Sequence, residues 1–131
     1  GLMMKTLFRG KDAYTGEWVY GFLVDFGNGD CGIISGFTSS DYSFIRVIPE
    51  TVGQYTGFTD MNGVKIFVGD ITEIEYGGWK VRREIVFSQG AFQYLNSGGL
   101  SPMPMRYIIK DFNTFYGVVI GNIHDNPEVT E

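Results

Sequence analysis

The sequence predicts an all-β fold with many tight turns. Glycine occurs 19 times in 131 residues, and aromatic residues make up 16% of the chain. Glycine is unfavourable inside helices, whereas aromatic side chains suit the surface of a pleated sheet. No segment shows a sustained helical period, and turn signals recur about every 8–12 residues, as in sandwiches and barrels.

Length and composition limit the possible classes of protein. A chain of 131 residues with 44% apolar residues can bury a core in one domain or two very small subdomains. The net charge of −5 disfavours a dedicated nucleic-acid binder, because such proteins usually present a basic surface. The single cysteine, Cys31, allows neither an intramolecular disulfide nor a cysteine-based zinc site, which fits a reducing cytoplasm. No apolar run approaches the roughly 20 residues that span a bilayer.

The first half of the chain predicts a hairpin followed by a single strand. Residues 17–24 and 31–35 are rich in strand formers and are joined through Asn28-Gly29, a strong hairpin signal. Small polar residues make 36–43 a loop, and 44–48 is a short strand. Residues 49–56 fit either one helical turn or an extended segment, and the sequence does not decide between them.

Two turns interrupt the apolar runs that follow. At Asp60-Met61-Asn62-Gly63, we expect Asp60 to accept backbone N–H bonds while Asn62 and Gly63 take positive φ angles. At Gly69-Asp70, we expect a bend made by the glycine and capped by the carboxylate. A calcium loop starting at Asp60 is excluded, because its fifth, sixth and twelfth positions are Val64, Lys65 and Ile71.

The second half predicts further strands. Residues 71–76 and 79–87 form a hairpin around Gly77-Gly78, with Lys80, Arg82 and Glu84 on one face of the returning strand. Another strand is predicted at 91–95, a loop at 96–105, a strand-rich stretch at 106–123 and a polar tail at 124–131.

Four segments resemble the YopX-like family of phage and prophage proteins, in the same order and spacing: "TGEWVYGFLV", "VIPETVGQYTGFTDMNGVKIFVGDI", "VFSQGAF" and "VIGNIHDNPEV". The resemblance covers about residues 5–130. It implies a largely β protein with an SH3-like barrel, encoded by phages and acting in the bacterial cytoplasm. Because no biochemical function is established for the family, no catalytic residue is implied.

The resemblance and the turns together suggest a division of the chain. We expect an N-terminal β-hairpin region at 4–48, an SH3-like β-barrel region at 49–127 and a polar tail at 128–131, packed as one compact unit. The turn residues Asn28, Gly29, Asp60, Asn62, Gly63, Gly69 and Asp70 are expected to be structural.

One strand carries a candidate binding site. Trp79, Lys80, Arg82 and Arg83 lie close together in sequence, with several other aromatic residues nearby. Aromatic platforms beside basic residues are how small β-barrels hold single-stranded nucleic acid. The alternative is that the aromatic side chains fill a small core while the charges keep one strand face soluble.

No combination of residues predicts catalysis. The only histidine, His124, lies far in sequence from Cys31, and no nucleophile elbow or phosphate-binding loop is present. His124, Asp125 and Glu128 have metal-ligating chemistry but read as a solvated tail. We therefore expect no catalytic residue, no metal and no cofactor.

The expected function is non-enzymatic binding, to an unidentified protein or to further copies of the chain, without a membrane. Nucleic-acid binding through the Lys80–Arg83 strand is the main alternative, and an enzyme based on paired carboxylates is a weaker one.

Because the ligand sets at Asp60 and His124 are incomplete, folding should require no divalent metal. Melting curves with and without a chelator should coincide. A fall of several degrees, more than about 1 kcal/mol produces in a domain of this size, would contradict this prediction.

Overall fold

The computed structural model describes residues 7–36, 38, 40–95 and 102–127, and it confirms the all-β class. The helical content of these residues is small: two short 3₁₀ helices at Pro49–Thr51 and Met105–Ile108, and a 3₁₀ residue at Pro127. The chain divides into two compact units, Gly1–Tyr55 and Thr56–Glu131, which we call unit 1 and unit 2.

Unit 1 is an antiparallel sheet with the strand order β5-β1-β2-β3-β4. An isolated bridge from Asp12 to Val47 also links β4 to the residue that follows β1. The elements are β1 (Phe8–Lys11), β2 (Trp18–Asp25), β3 (Cys31–Ser35), β4 (Ser43–Val47), a 3₁₀ helix (Pro49–Thr51) and β5 (Gly53–Thr59), whose last residues belong to unit 2.

The predicted N-terminal hairpin is confirmed as β2 and β3, with a connection of five residues. In this loop, Asp25 accepts the N–H of Gly27 at 2.9 Å and Asn28 accepts that of Asp30 at 3.0 Å. Gly29 has a φ of 95°, which glycine adopts without steric cost. Side-chain acceptors and glycine together therefore shape this turn.

The sequence did not decide whether residues 49–56 form a helical turn or an extended segment. The structure contains both, a short 3₁₀ helix followed by the start of a strand. Pro49 starts the 3₁₀ helix, and its fixed φ suits a first helical position. Thr51 ends the helix and ties it to β1, since its hydroxyl accepts the N–H of Lys11 at 2.8 Å and donates to the Ile48 carbonyl. Strand β5 begins two residues later.

The core of unit 1 is small. Cys31, Ile33 and Val47 are buried and form its centre, and three partly buried side chains pack around them: Val19, Leu23 and Val52. Apart from Val52, which follows the 3₁₀ helix, these residues lie on one face of the β2–β3–β4 sheet, so alternate residues of the same strands point to the opposite face.

Unit 2 contains a five-stranded antiparallel sheet with the order β10-β9-β8-β7-β13, and shorter strands pair beside the end of β5. Its elements are β6 (Lys65–Phe67), β7 (Asp70–Tyr76), β8 (Trp79–Ser88), β9 (Ala91–Leu95), β10 (Pro102–Pro104), a 3₁₀ helix (Met105–Ile108), β11 (Ile109–Asp111), β12 (Thr114–Phe115) and β13 (Val118–Asn122). Its core is larger and centres on Ile66, Ile74, Ile85, Tyr94, Met105 and Phe115.

Several expectations need correction. The predicted loop at 96–105 is wrong for 102–104, which form β10 against β9, while 96–101 lie outside the described residues. Prolines are tolerated there because β10 is an edge strand. The sequence does not predict strand β1. The strand pairing of the described residues closes no barrel.

The Asp60 turn is held by one buried carboxylate. Its Oδ1 accepts the N–H groups of Asn62 at 2.8 Å and Val64 at 2.9 Å, and its Oδ2 accepts that of Val119 in β13 at 2.9 Å. Gly63 has a φ of 81°, but the expectation of a positive φ at Asn62 is wrong. Asp60 satisfies the neighbouring N–H groups, so one left-handed residue is enough.

Gly69 and Asp70 form the bend that begins β7. Gly69 has a φ of 96°, and the Asp70 carboxylate accepts the N–H of Phe67 at 2.7 Å. Backbone bonds join Gly69 to Ile85 in β8 and to Ile123, directly after β13. The bend therefore connects three chain segments of unit 2.

Replacing Asp60 by Ala should lower the free energy of unfolding by about 2–4 kcal/mol, because three backbone N–H groups lose a charged acceptor whose side chain is buried. Denaturant melts measure the change. The control is Asp111→Ala, which removes an equal charge from an exposed position in β11 and should change stability by less than about 0.5 kcal/mol. Equal effects of the two substitutions would show that the Asp60 contacts contribute nothing specific.

Candidate binding surfaces

The four candidate residues lie on β8, just after the tight Gly77-Gly78 turn. Both glycines have positive φ angles, of 50° and 90°, as a two-residue hairpin turn requires. Trp79 faces Tyr76 across the hairpin, and its side chain is 79% exposed. The structure thus places an aromatic pair at the tip of the hairpin, outside the core of unit 2.

Two of the three basic side chains of this strand share one carboxylate. Glu73 lies opposite Arg82, with 3.5 Å between its Oε2 and the arginine Nε, and its Oε1 is 3.9 Å from the Lys80 Nζ. Arg83 points to the other face and donates to the Arg82 carbonyl. Lys80 and Arg82 therefore share a face, as the alternation predicted, but their charge is partly offset locally.

Glu84 lies on the same face as Lys80 and Arg82, nearer the middle of the sheet. Burial raises the pKa of this carboxyl above its ordinary value, since removal from water penalises the charged form. Ionised Glu84 is thus less favourable in the folded chain than in the unfolded chain, and it destabilises the fold at neutral pH.

A second surface lies on the outer face of the unit 1 sheet. Phe22 on β2, Ile34 on β3 and Phe44 on β4 are direct cross-strand neighbours and form one row across three strands. Tyr20 lies on the same face of β2, one alternation before Phe22. The rings of Tyr20, Phe22 and Phe44 are all about half exposed.

The position of Phe44 is fixed by a glycine. A Cβ atom on Gly32 would clash with Cζ of Phe44, so the ring lies over the bare backbone of β3. Phe26 in the β2–β3 loop contacts this ring, with centroids 5.9 Å apart and planes tilted by 58°. Phe26 thereby extends the row. We call Tyr20, Phe22, Phe26, Ile34 and Phe44 the aromatic patch.

An ion pair borders the aromatic patch. Arg46 follows Phe44 on the same face of β4, and its guanidinium is 3.6 Å from the carboxylate of Asp30 in the β2–β3 loop. Both side chains are 52% exposed, so the pair is hydrated and contributes little stability, roughly 0–1 kcal/mol.

On the β1 side of the same sheet, the Arg9 guanidinium lies 4.6 Å from the Trp18 ring centroid.

The sequence of β2 contains a signal for this surface. A half-buried antiparallel strand normally alternates apolar and polar residues. In β2, however, Val19 and Leu23 pack towards the core while Tyr20 and Phe22 are exposed. Apolar residues on both faces of a hairpin strand therefore indicated an outward apolar surface.

A cavity of about 410 Å³ opens beside the β2–β3 loop, with Leu23, Val52 and Cys31 among its lining residues and Asp25 and Asp30 at the loop. Burial raises the pKa of the Cys31 thiol, and the nearby carboxylates raise it further. The thiol therefore stays protonated at neutral pH and is a poor nucleophile.

The side chain of Asn122 organises the backbone around His124. The side-chain oxygen of Asn122 accepts the N–H groups of His124 at 3.0 Å and Asp125 at 2.9 Å, and its amide donates to the Asp125 carboxylate. Glu128 lies outside the described residues. In the parts of the chain that are described, no three His, Cys, Asp or Glu side chains are grouped to hold a metal. No helix there is long and apolar enough to cross a membrane.

These features define a small all-β protein with an exposed aromatic surface on one unit. The profile of the YopX protein family matches residues 7–131, and the chain belongs to that family. It is also similar to the crystal structure of protein EF1440 from Enterococcus faecalis, with a TM-score of 0.59 and 25% identity, covering 98% of this chain and 100% of the other. No curated protein sequence matches.

Glu84→Gln should stabilise the protein at pH 7, and the gain should vanish as the pH falls. The folded-state pKa is raised, so the cost of the carboxylate is present above that pKa and absent below the unfolded value of about 4.3. Urea melts at pH 7 and pH 4 measure the difference. Glu75→Gln on β7 is the control, because Glu75 is exposed. A stabilisation by Glu84→Gln that does not depend on pH would contradict the assignment.

Proposed function

We propose that the protein is a non-enzymatic binding module that recognises a protein partner through the aromatic patch of unit 1. The observation that carries the proposal is the row formed by Phe22 on β2, Ile34 on β3 and Phe44 on β4, in which both rings are about half exposed and which Phe26 extends. Contiguous exposed apolar surface on a folded domain marks interaction sites more often than scattered apolar residues do.

The geometry of the patch suits binding. Phe44 is held between the β3 backbone at Gly32 and the ring of Phe26, so little ring freedom is lost when a partner docks. Aromatic residues and arginine are enriched at the energetic centres of protein interfaces. Arg46 at the border of the patch supplies such an arginine next to the rings.

A protein partner is favoured over nucleic acid by the charges. Lys80 and Arg82 are both within 4.0 Å of Glu73, which offsets the basic strand that a phosphate backbone would contact. The chain also carries a net charge of −5, which repels polyanions at long range. Trp79 remains exposed, but two of the three basic side chains of its strand share the Glu73 carboxylate, and nucleic-acid affinity depends on several unopposed cations.

We also propose where the gene originates and where the protein acts. The YopX family resemblance supports an origin in a phage or prophage and a role in the bacterial cytoplasm. The free thiol of Cys31 is compatible with a reducing compartment.

An SH3-like arrangement was expected for residues 49–127, and it stays a proposal. The strand order of unit 1, β5-β1-β2-β3-β4 with a 3₁₀ helix between β4 and β5, supports such an arrangement better in the N-terminal half than in the region first expected. We therefore propose that any SH3-type relationship of this chain concerns residues 8–55.

Replacing Phe22 by Ser should weaken capture of the partner from prophage-carrying cells at least about tenfold, because truncating a hot-spot aromatic typically costs about 2 kcal/mol or more. Quantitative mass spectrometry of affinity captures measures the loss. The control is Phe87→Ser in unit 2, since Phe87 is 57% exposed and Phe22 is 54% exposed. Melting curves should show that both variants fold. Equal capture by Phe22→Ser and the unmodified protein would contradict the proposal.

A further inference from the structure

We propose that the aromatic patch binds a second copy of this chain, face to face about a two-fold axis, with Arg46 of each copy paired to Asp30 of the other. This inference rests on the proposed function, because it names the protein that covers the patch. Three features of the molecule support it: the state of its sheet edges, the charge balance of the patch and the exposed area of the rings.

The two edges of the five-stranded sheet in unit 2 are poorly suited to strand pairing between copies. On β10, Pro102 and Pro104 lack the N–H groups that a further strand needs. On β13, the N–H of Val119 is already bound to Asp60, and the register shifts between Val119 and Gly121. Because backbone pairing at β10 and β13 is hindered, self-association through a sheet face is more favourable than pairing of these edge strands.

The edge of β4 in unit 1 is partly occupied as well. The carbonyl of Arg46 accepts the N–H of Ala13 at 2.9 Å, and the N–H of Ile48 donates to the carbonyl of Lys11 at 2.8 Å. A partner strand cannot extend along the second half of β4 without displacing these bonds. Self-association in unit 1 is therefore expected through side chains of the outer face.

The charges at the border of the patch are self-complementary. A two-fold interface places the same surface on both sides, so residue i of one copy meets residue j of the other and the reverse. Arg46 and Asp30 carry one charge of each sign and already lie 3.6 Å apart within one chain. Exchanging partners across the axis keeps both ions paired, so neither charge is left without a counter-ion in the interface.

The charge balance of the patch also favours a second copy over a strongly charged partner, because the patch itself carries no net charge. The net charge of −5 makes two copies repel each other, and this repulsion is least where the opposing surfaces are neutral. The patch is such a surface, because its five members are uncharged and the two ions at its border cancel.

The area of the rings predicts a modest affinity. Four aromatic side chains that are each about half exposed supply roughly 400 Å² per copy, which is about half of a standard interface. The surrounding residues of β2 and β4 must supply the remainder. We expect a dimer in the micromolar range rather than a permanent complex.

The test is a charge exchange followed by sedimentation equilibrium at about 1–200 µM, a range that brackets a micromolar dissociation constant. Arg46→Glu alone should weaken the dimer at least about tenfold, because it places like charges opposite each other across the axis. Asp30→Arg alone should do the same. An equimolar mixture of the two variants should form a heterodimer. In that heterodimer the introduced glutamate faces the introduced arginine, and the unmodified Asp30 of one chain faces the unmodified Arg46 of the other.

The control is Lys110→Glu, which makes the same change of charge at an exposed position of β11 and should leave the dimer unchanged. Melting curves verify that each variant folds. A single-chain mass for the unmodified protein over the whole range overturns the inference, as does a mixture that stays monomeric while the single variants fold. Partner capture dependent on Phe22 by a protein that stays monomeric would assign the patch to another protein, so the proposed function can survive the failure of this inference.

Discussion

The carboxylate of Asp60 is the contact on which much of unit 2 depends. Its two oxygens accept three backbone N–H groups, two in its own turn and one in β13, 59 residues further along the chain. A side chain that is 1% exposed cannot exchange these bonds for water. One residue therefore fixes both the turn before β6 and the position of an edge strand, and it occupies one of the N–H groups that a further strand would need.

Small residues have a comparable role in unit 1, because they decide where rings can lie. Gly32 leaves the β3 backbone bare, and Phe44 occupies the space that a side chain would fill. The ring is thereby held at the sheet surface next to Phe26 instead of turning freely in water. The local absence of a Cβ atom produces an ordered aromatic surface, and that surface is the basis of the binding function proposed for the chain.

The two candidate surfaces show why residue type alone does not define a site. The strand from Trp79 to Arg83 has the composition of a nucleic-acid surface, yet Glu73 on β7 lies beside Lys80 and Arg82. The aromatic patch is spread over three strands and a loop, so no short segment of sequence reveals it. Cross-strand register, which brings Phe22, Ile34 and Phe44 into one row, creates the surface.

The sequence by itself determined the all-β class, the β2–β3 and β7–β8 hairpins and the family, because strand patterning and glycine turns act over a few neighbouring residues. It did not reveal β1, β10 or the contact of Asp60 with Val119, since these depend on partners far along the chain. The tertiary structure alone decided which exposed side chains are neutralised and which form a continuous surface. Those properties follow from distances between strands, and local sequence does not encode such distances.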